Sequence, residues 1–318
     1  MLFWLAGILV GLGNPFQTGM NLRLRYKFGS PFVATLISFT VSLVFLLIVL
    51  LLSGQTLKYP IDLLISKPLW IWLGGVIGVI FLTGNILLLP RIGGVQTVIF
   101  PVFGQITMSL LIDQYGLFYG PQTTVTPIRI LGAAFVVVGV LTVSLAKAGQ
   151  SAMKSPIQTS VTPAPLTLWI WRLFAVCAGS LGAIQVAING YLGKVVDSPI
   201  KSAVVSFFTG SLLLIVICVS LVWRGKLKES ARSNETRDPI WVWFGGILGA
   251  LFVLVTVILS PRIGTGTTII CVLTGATLGG VMIDCWGLFG MRRQPMTLKK
   301  NLGIVLMIGG VAMSKLLV

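Results

Sequence analysis

Apolar runs of about twenty residues recur from one end of the chain to the other, separated by brief clusters of Pro, Gly and charged residues. A run of that length crosses the hydrocarbon layer of a bilayer as one α-helix, since a helix rises about 1.5 Å per residue. Read by this punctuation, the pattern predicts ten transmembrane helices, at residues 3–23, 31–53, 69–89, 94–113, 128–147, 168–190, 200–223, 240–260, 265–284 and 299–317. Most connections are short. The two longer ones are Ala148–Pro165, rich in Ser, Thr and Pro, and Gly225–Asp238, rich in charge; both read as solvated linkers. The first run opens on Met1-Leu2-Phe3-Trp4 without a basic residue and passes Gly19 with no Ala-x-Ala end, so it is expected to remain as a helix rather than be cleaved.

The pattern repeats. Gln17, Asn21, Ser30, Pro31, Ser38 and Phe39 recur 168 residues later as Gln185, Asn189, Ser198, Pro199, Ser206 and Phe207. Pro68-Leu-Trp-Ile-Trp-Leu-Gly-Gly recurs 171 residues later as Pro239-Ile-Trp-Val-Trp-Phe-Gly-Gly, and the same shift carries Pro90-Arg-Ile-Gly93 onto Pro261-Arg-Ile-Gly264. It also carries Asp113 and Gly116-Leu-Phe118 onto Asp284 and Gly287-Leu-Phe289. The chain therefore divides into a first five-helix repeat at 1–147, a linker at 148–165 and a second five-helix repeat at 166–318. Five crossings are an odd number, so the second repeat must start on the opposite side of the membrane. The expected fold is an all-α polytopic membrane protein of ten transmembrane helices, built as two inverted five-helix repeats.

Charge supports the inversion and fixes an expected orientation. Of the 23 Lys and Arg, sixteen fall in the loops after the odd-numbered helices and seven elsewhere. Basic loops stay in the cytoplasm, so both termini are expected outside. With 56% hydrophobic and 9% charged residues there is too little polar material to coat a water-facing surface, which excludes a soluble enzyme and a nucleic-acid binder. The surplus of basic residues is accounted for by anionic lipid headgroups rather than by nucleic acid. Four cysteines, Cys177, Cys218, Cys271 and Cys285, lie in or at the ends of apolar runs and read as small buried residues.

Taken together, the Gln-x-x-x-Asn of the first helix, the Ser-Pro start of the second, the Trp-x-Gly-Gly third helix, the Pro-Arg-Ile-Gly turn and the Asp-x-x-Gly-Leu-Phe end of the fourth resemble the YdcZ-like family of bacterial inner-membrane proteins. That family lies within the drug/metabolite transporter superfamily. The resemblance covers the chain apart from the two linkers. It implies a multi-pass protein of the bacterial inner membrane with a central cavity between helices 1, 3 and 4 and their counterparts 6, 8 and 9. It implies a class of function and no particular ligand. Large ten-helix relatives keep both termini in the cytoplasm, so the loop charges here depart from that pattern.

Asn14, Gln17 and Asn21 share one face of the first helix, as Gln185 and Asn189 do on the sixth. Uncharged amides in hydrocarbon need partners, and two roles are open: hydrogen bonding between helices, or lining a substrate cavity. Asn85, Gln96 and Gln105 are further lining candidates, with Thr256, Thr267 and Ala276 at their equivalents. Trp72 and Trp243, preceded by Trp70 and Trp241, fit either an interfacial aromatic belt or the cavity wall. Gly74/Gly78, Gly245/Gly249 and Gly275/Gly279 have the spacing of close helix packing. Four charges frame the fourth and ninth helices: Arg91 and Asp113, Arg262 and Asp284. Inversion would put Arg91 with Asp284 at one mouth and Asp113 with Arg262 at the other, as gates. The alternative is that each anchors its helix end or pairs locally, with Arg129 or Arg293.

No histidine is present, the seven acids are scattered, and no phosphate-binding loop occurs, so neither an enzyme nor ATP-driven pumping is expected. No cofactor or metal is implied. Since no ionisable residue lies near the middle of a span, a neutral or zwitterionic small molecule fits better than a strongly cationic drug exchanged for protons. The expected function is a secondary transporter moving a small organic solute across the inner membrane by alternating access. A non-transporting scaffold or lipid-handling protein is the other reading. The expected partners are that solute and the lipid bilayer, with oligomeric state left open.

Overall fold

A computed structural model describes residues 2–59, 63, 66–152, 165–225, 239–290 and 293–315. The described residues are overwhelmingly helical and include no strand. The helices are α1 (Leu2–Phe28), α2 (Pro31–Leu52), α3 (Gly74–Tyr115), α4 (Pro127–Ala152), α5 (Pro165–Val195), α6 (Pro199–Trp223), α7 (Gly245–Ile263), α8 (Thr265–Trp286) and α9 (Leu298–Lys315). Among the described residues, seven segments are long and apolar enough to cross a membrane: Pro31–Leu52, Gln96–Tyr115, Pro127–Ala146, Leu166–Val195, Pro199–Trp223, Ile240–Ile263 and Thr265–Trp286. The chain is a polytopic α-helical membrane protein. Its Ser and Thr hydroxyls meet the demand for internal hydrogen bonding by donating to carbonyls one turn back, as in Thr35 to Pro31, Thr142 to Val138 and Thr274 to Ile270.

Three differences from the sequence expectation have local causes. The spans expected at 69–89 and 94–113 form one helical run, α3. It breaks at Gly93 (φ 76°, ψ 164°) and not at Pro90. Proline removes a single helical donor, whereas this backbone conformation, open only to glycine, redirects the chain. The same break in the second half, at Gly264 (φ 84°, ψ 156°), separates α7 from α8. Second, the Trp-x-Trp segments are 3-10 turns, Leu69–Trp72 and Ile240–Phe244, that precede α3 and α7 rather than opening them. Third, α4 continues to Ala152, into the expected linker. Residues 153–164 of that linker, and 226–238 of the charged one, lie outside the described residues.

Contacts recur at the sequence offsets. A Cβ on Gly11 would collide with the Val272 carbonyl, and one on Gly275 with that of Ile8, so α1 and α8 touch backbone to backbone. Moving the α1 positions up by 168 and the α8 positions down by 171 gives the second set: a Cβ on Gly179 would collide with the Pro101 carbonyl, and one on Gly104 with that of Val176, which closes α5 on α3. In α4 and α9 the glycine pairs Gly132–Gly310 and Gly139–Gly303 face each other in the same way. Phe39 of α2 meets its own equivalent, Phe207 of α6, ring to ring at 5.0 Å. Each half thus packs on the other through the same residues.

Candidate functional site

The amide faces are built into these contacts. Gln17 reaches Gly249 and Asn21 reaches Gly245 of α7, while Gln185 reaches Gly78 and Asn189 reaches Gly74 of α3. The two sequence patterns, amides on one helix and paired glycines on another, are therefore the two sides of one interface, made twice. Gln17, Asn21 and Gln185 are half-buried and Asn189 is buried. Asn189 Nδ2 donates to Ser206 Oγ at 3.2 Å, and Ser202 Oγ donates to the Asn189 carbonyl at 2.7 Å. The side-chain oxygens of Asn21 and Asn189, at equivalent positions, are buried and accept no hydrogen bond among the described residues.

Asn14, Asn85 and Gln105 are half-buried. Gln96 accepts from Arg172 Nε at 2.9 Å, an α3–α5 contact. Trp72 packs edge-on against Tyr59 at 6.2 Å, and Trp243 against Phe28 at 6.4 Å under the Lys27 ammonium. Tyr59 lies outside the spans. Burial pushes its phenol up to about 12, so it stays a neutral donor to the Lys201 carbonyl at 3.2 Å. Trp70 stacks with Tyr119 and Tyr191 and meets Phe118 edge-on, and Trp241 meets Phe289. Phe118 and Phe289 both hold positive φ, 56° and 58°, a conformation that costs a non-glycine residue roughly 1–3 kcal/mol.

Of the four framing charges, Asp113 pairs locally rather than with Arg262. Asp113, 1% exposed, pairs with Arg129 of α4, 4% exposed, at 2.9 Å from Nη2 to Oδ2. Its carboxylate also accepts from the first two amides of α8, Thr265 N–H at 2.8 Å and Gly266 N–H at 3.0 Å. Arg129 is fixed in turn by Thr123 Oγ1 at 2.8 Å. Arg262, the expected partner of Asp113, lies over the Phe3 ring at 4.9 Å. Arg91 lies over Trp171 at 5.2 Å. The partner of Asp113 is thus the local base at the start of the next helix, because the chain turns back within a few residues of the acid. Asp284 is buried, and Lys300, which takes the place of Arg129 171 residues on, is fully buried, with Nζ 3.4 Å from the Pro295 carbonyl.

The sequence profile of a family described as "Putative inner membrane exporter, YdcZ" matches residues 2–142 and 170–313, nearly the whole chain. The chain belongs to the YdcZ family. It is a multi-pass inner-membrane protein. Its fold is similar to that of a protein known from a crystal structure, with a TM-score of 0.67 over 99% of this chain and 97% of that one; at 14% identity the likeness shows the fold alone. No curated protein sequence matches.

In this YdcZ-family chain, sequence reasoning offered Arg129 as a local partner of Asp113 but left out the part taken by the Gly264 break and the α8 amides after it. A signal for Arg129 itself was present, since Arg129 and Lys300 stand at the 171-residue offset. Their register was hidden by the difference in residue type.

Proposed function

We propose that the protein is a secondary transporter that exports a small organic solute by alternating access between two inverted five-helix halves. Three features support the inverted arrangement: the contacts repeated at the two offsets, the Phe39–Phe207 pair, and the meeting of the C-terminal end of α3 with the N-terminal end of its counterpart α8. The observation that carries the transport reading is where the two halves stop matching. Gly264 is buried, with Thr267 at 1%, Thr268 at 0% and Ile269 at 2% exposure after it. At the equivalent break, Gly93 is exposed and Val98, the counterpart of Ile269, is 39% exposed. The two equivalent breaks are thus unequally exposed. Two conformations related by exchange of the halves follow from such a fold, and a solute that binds both moves across.

The unpaired oxygens of Asn21 and Asn189 favour a solute carrying an N–H or O–H donor, because a buried acceptor left unsatisfied in every state costs roughly 1–3 kcal/mol. The test is a stability screen of the purified protein against a panel of neutral and zwitterionic metabolites, followed by flux of the stabilising compounds in proteoliposomes. Stabilisation with saturable flux is expected. Insensitivity to the whole panel without flux would favour the scaffold reading, in which the amides only join helices.

A further inference from the structure

We propose that Arg172 and Gln96 form a binding site for an oxyanion, a carboxylate or a phosphate group, at the end of the molecule that carries the exposed Gly93 break. Where the oxyanion belongs to a solute, the proposal rests on the transport reading above. Arg172 is half-buried on α5, inside the apolar span Leu166–Val195. Its guanidinium is held from three directions. Nε donates to Gln96 Oε1 of α3 at 2.9 Å, and the group lies over the Trp169 ring at 4.9 Å and the Phe100 ring at 5.8 Å. A guanidinium carries five N–H donors. With Nε taken, the edge formed by the two Nη groups is left, the fork that receives a carboxylate or phosphate through two parallel bonds. Among the described residues no acceptor meets that edge and no carboxylate pairs with Arg172. A cation inside a span is costly unless an anion or water meets it.

The equivalent residues of the other half separate this site from ordinary packing. Arg91, the other arginine at this interface, lies over Trp171 at 5.2 Å, and its twin Arg262 lies over Phe3 at 4.9 Å, the same contact at the offsets of 171 and 168. That contact is made at both ends and belongs to the common framework. Arg172 and Gln96 are different. Their equivalents are Trp4, packed in the core, and Thr267, which is buried. The twin interface is therefore built from an indole and a small hydroxyl, without charge. At Arg172 the chain carries instead a cation and an amide that aims it, three residues beyond the exposed Gly93. Arg91, on the other side of that glycine and exposed, adds positive potential at the same end. The oxyanion is thus bound at one break and not at its twin.

Binding is read as the rise in melting temperature of the purified full-length protein. In lipid-free neutral detergent the probes are sodium benzoate and phenyl phosphate, each against sodium chloride at equal ionic strength. In vesicles the comparison is phosphatidylcholine with and without phosphatidylglycerol. Stabilisation beyond chloride by the soluble anions assigns the site to a solute's acid group, and stabilisation by phosphatidylglycerol alone assigns it to a lipid phosphate. Arg172→Gln should raise the apparent dissociation constant of the stabilising anion about tenfold or more, and Arg172→Lys by less, since lysine keeps the charge and loses the fork. Arg172→Trp with Gln96→Thr copies the pair of the other half. It should fold and lose the response to anions, which keeps the test alive if Arg172→Gln does not fold. No stabilisation by any of these anions, or stabilisation retained in folded protein carrying Arg172→Gln or the double substitution, would overturn the site. Solute flux is read separately, so Arg172-dependent binding without flux removes transport alone, and flux with binding indifferent to Arg172 removes the site alone.

Discussion

At the scale of single residues, the chain shows what an ion pair needs in order to survive inside a membrane protein. Desolvating a carboxylate and a guanidinium costs several kcal/mol each, and their attraction offsets this only when the remaining lone pairs and protons are satisfied. Asp113 meets that condition with two α8 amides and Arg129 with Thr123. Replacing Arg129 by Met should therefore destabilise the protein by about 3–5 kcal/mol, because it leaves an acid 1% exposed without its cation. Replacing Asp113 by Leu as well should recover part of the loss, and thermal melts of the two variants and the wild-type protein in detergent check the order. The sequence pointed to Asp113 as a residue of interest through its repeat at Asp284. It could not choose between Arg129 and Arg262, since that choice depends on how tightly the chain turns after Tyr115, which periodicity does not record.

At the scale of helices, close approach is governed by glycine. Gly275 has the Ile8 carbonyl where a Cβ would be, so Gly275→Ala must push α1 and α8 apart, at a cost of about 1–3 kcal/mol. Gly280, on the same helix, has open space within 4 Å of its Cβ position. Gly280→Ala should be neutral or slightly stabilising, since alanine is the better helix former. Melting temperatures of the two variants separate packing from composition, and equal effects would contradict the α1–α8 interface. That the chain is built of helices long and apolar enough to cross a membrane was legible, because apolar length is a strong signal in membrane proteins. The position of the break was not. Pro90 looked like the end of a span, but a proline costs a helix one donor, and only a residue tolerant of φ 76° can make the turn seen at Gly93. The amides and the paired glycines were each visible too. That Gln17 faces Gly249 and Gln185 faces Gly78 was not, because which helices of the two halves become neighbours is a property of the assembled fold.

At the scale of the whole molecule, the duplication was the most legible feature and the departure from it the least. Identical motifs at two offsets announce two like halves, whereas a sequence has no means of saying that one break is buried while its twin is exposed. Orientation follows from charge: the basic residues after α6 should hold that end in the cytoplasm. A cysteine in place of the exposed Arg224 should then resist an impermeant thiol reagent in intact cells and react in inside-out vesicles. Ready labelling in intact cells would reverse the orientation and leave the fold untouched. The exchange of states between the halves is the central claim, and one pair of distances tests it most directly. Spin labels at Leu69 and Arg262 span the end that carries the buried Gly264 break; labels at Arg91 and Ile240, their equivalents at the offset of 171, span the end of the exposed Gly93 break, and all four positions are exposed. Measured by pulsed dipolar spectroscopy, each pair should show two distance populations. A solute or substitution that lengthens the Leu69–Arg262 distance should shorten the Arg91–Ile240 distance. A single fixed distance for each pair under every condition, or two pairs that widen together, would contradict the account.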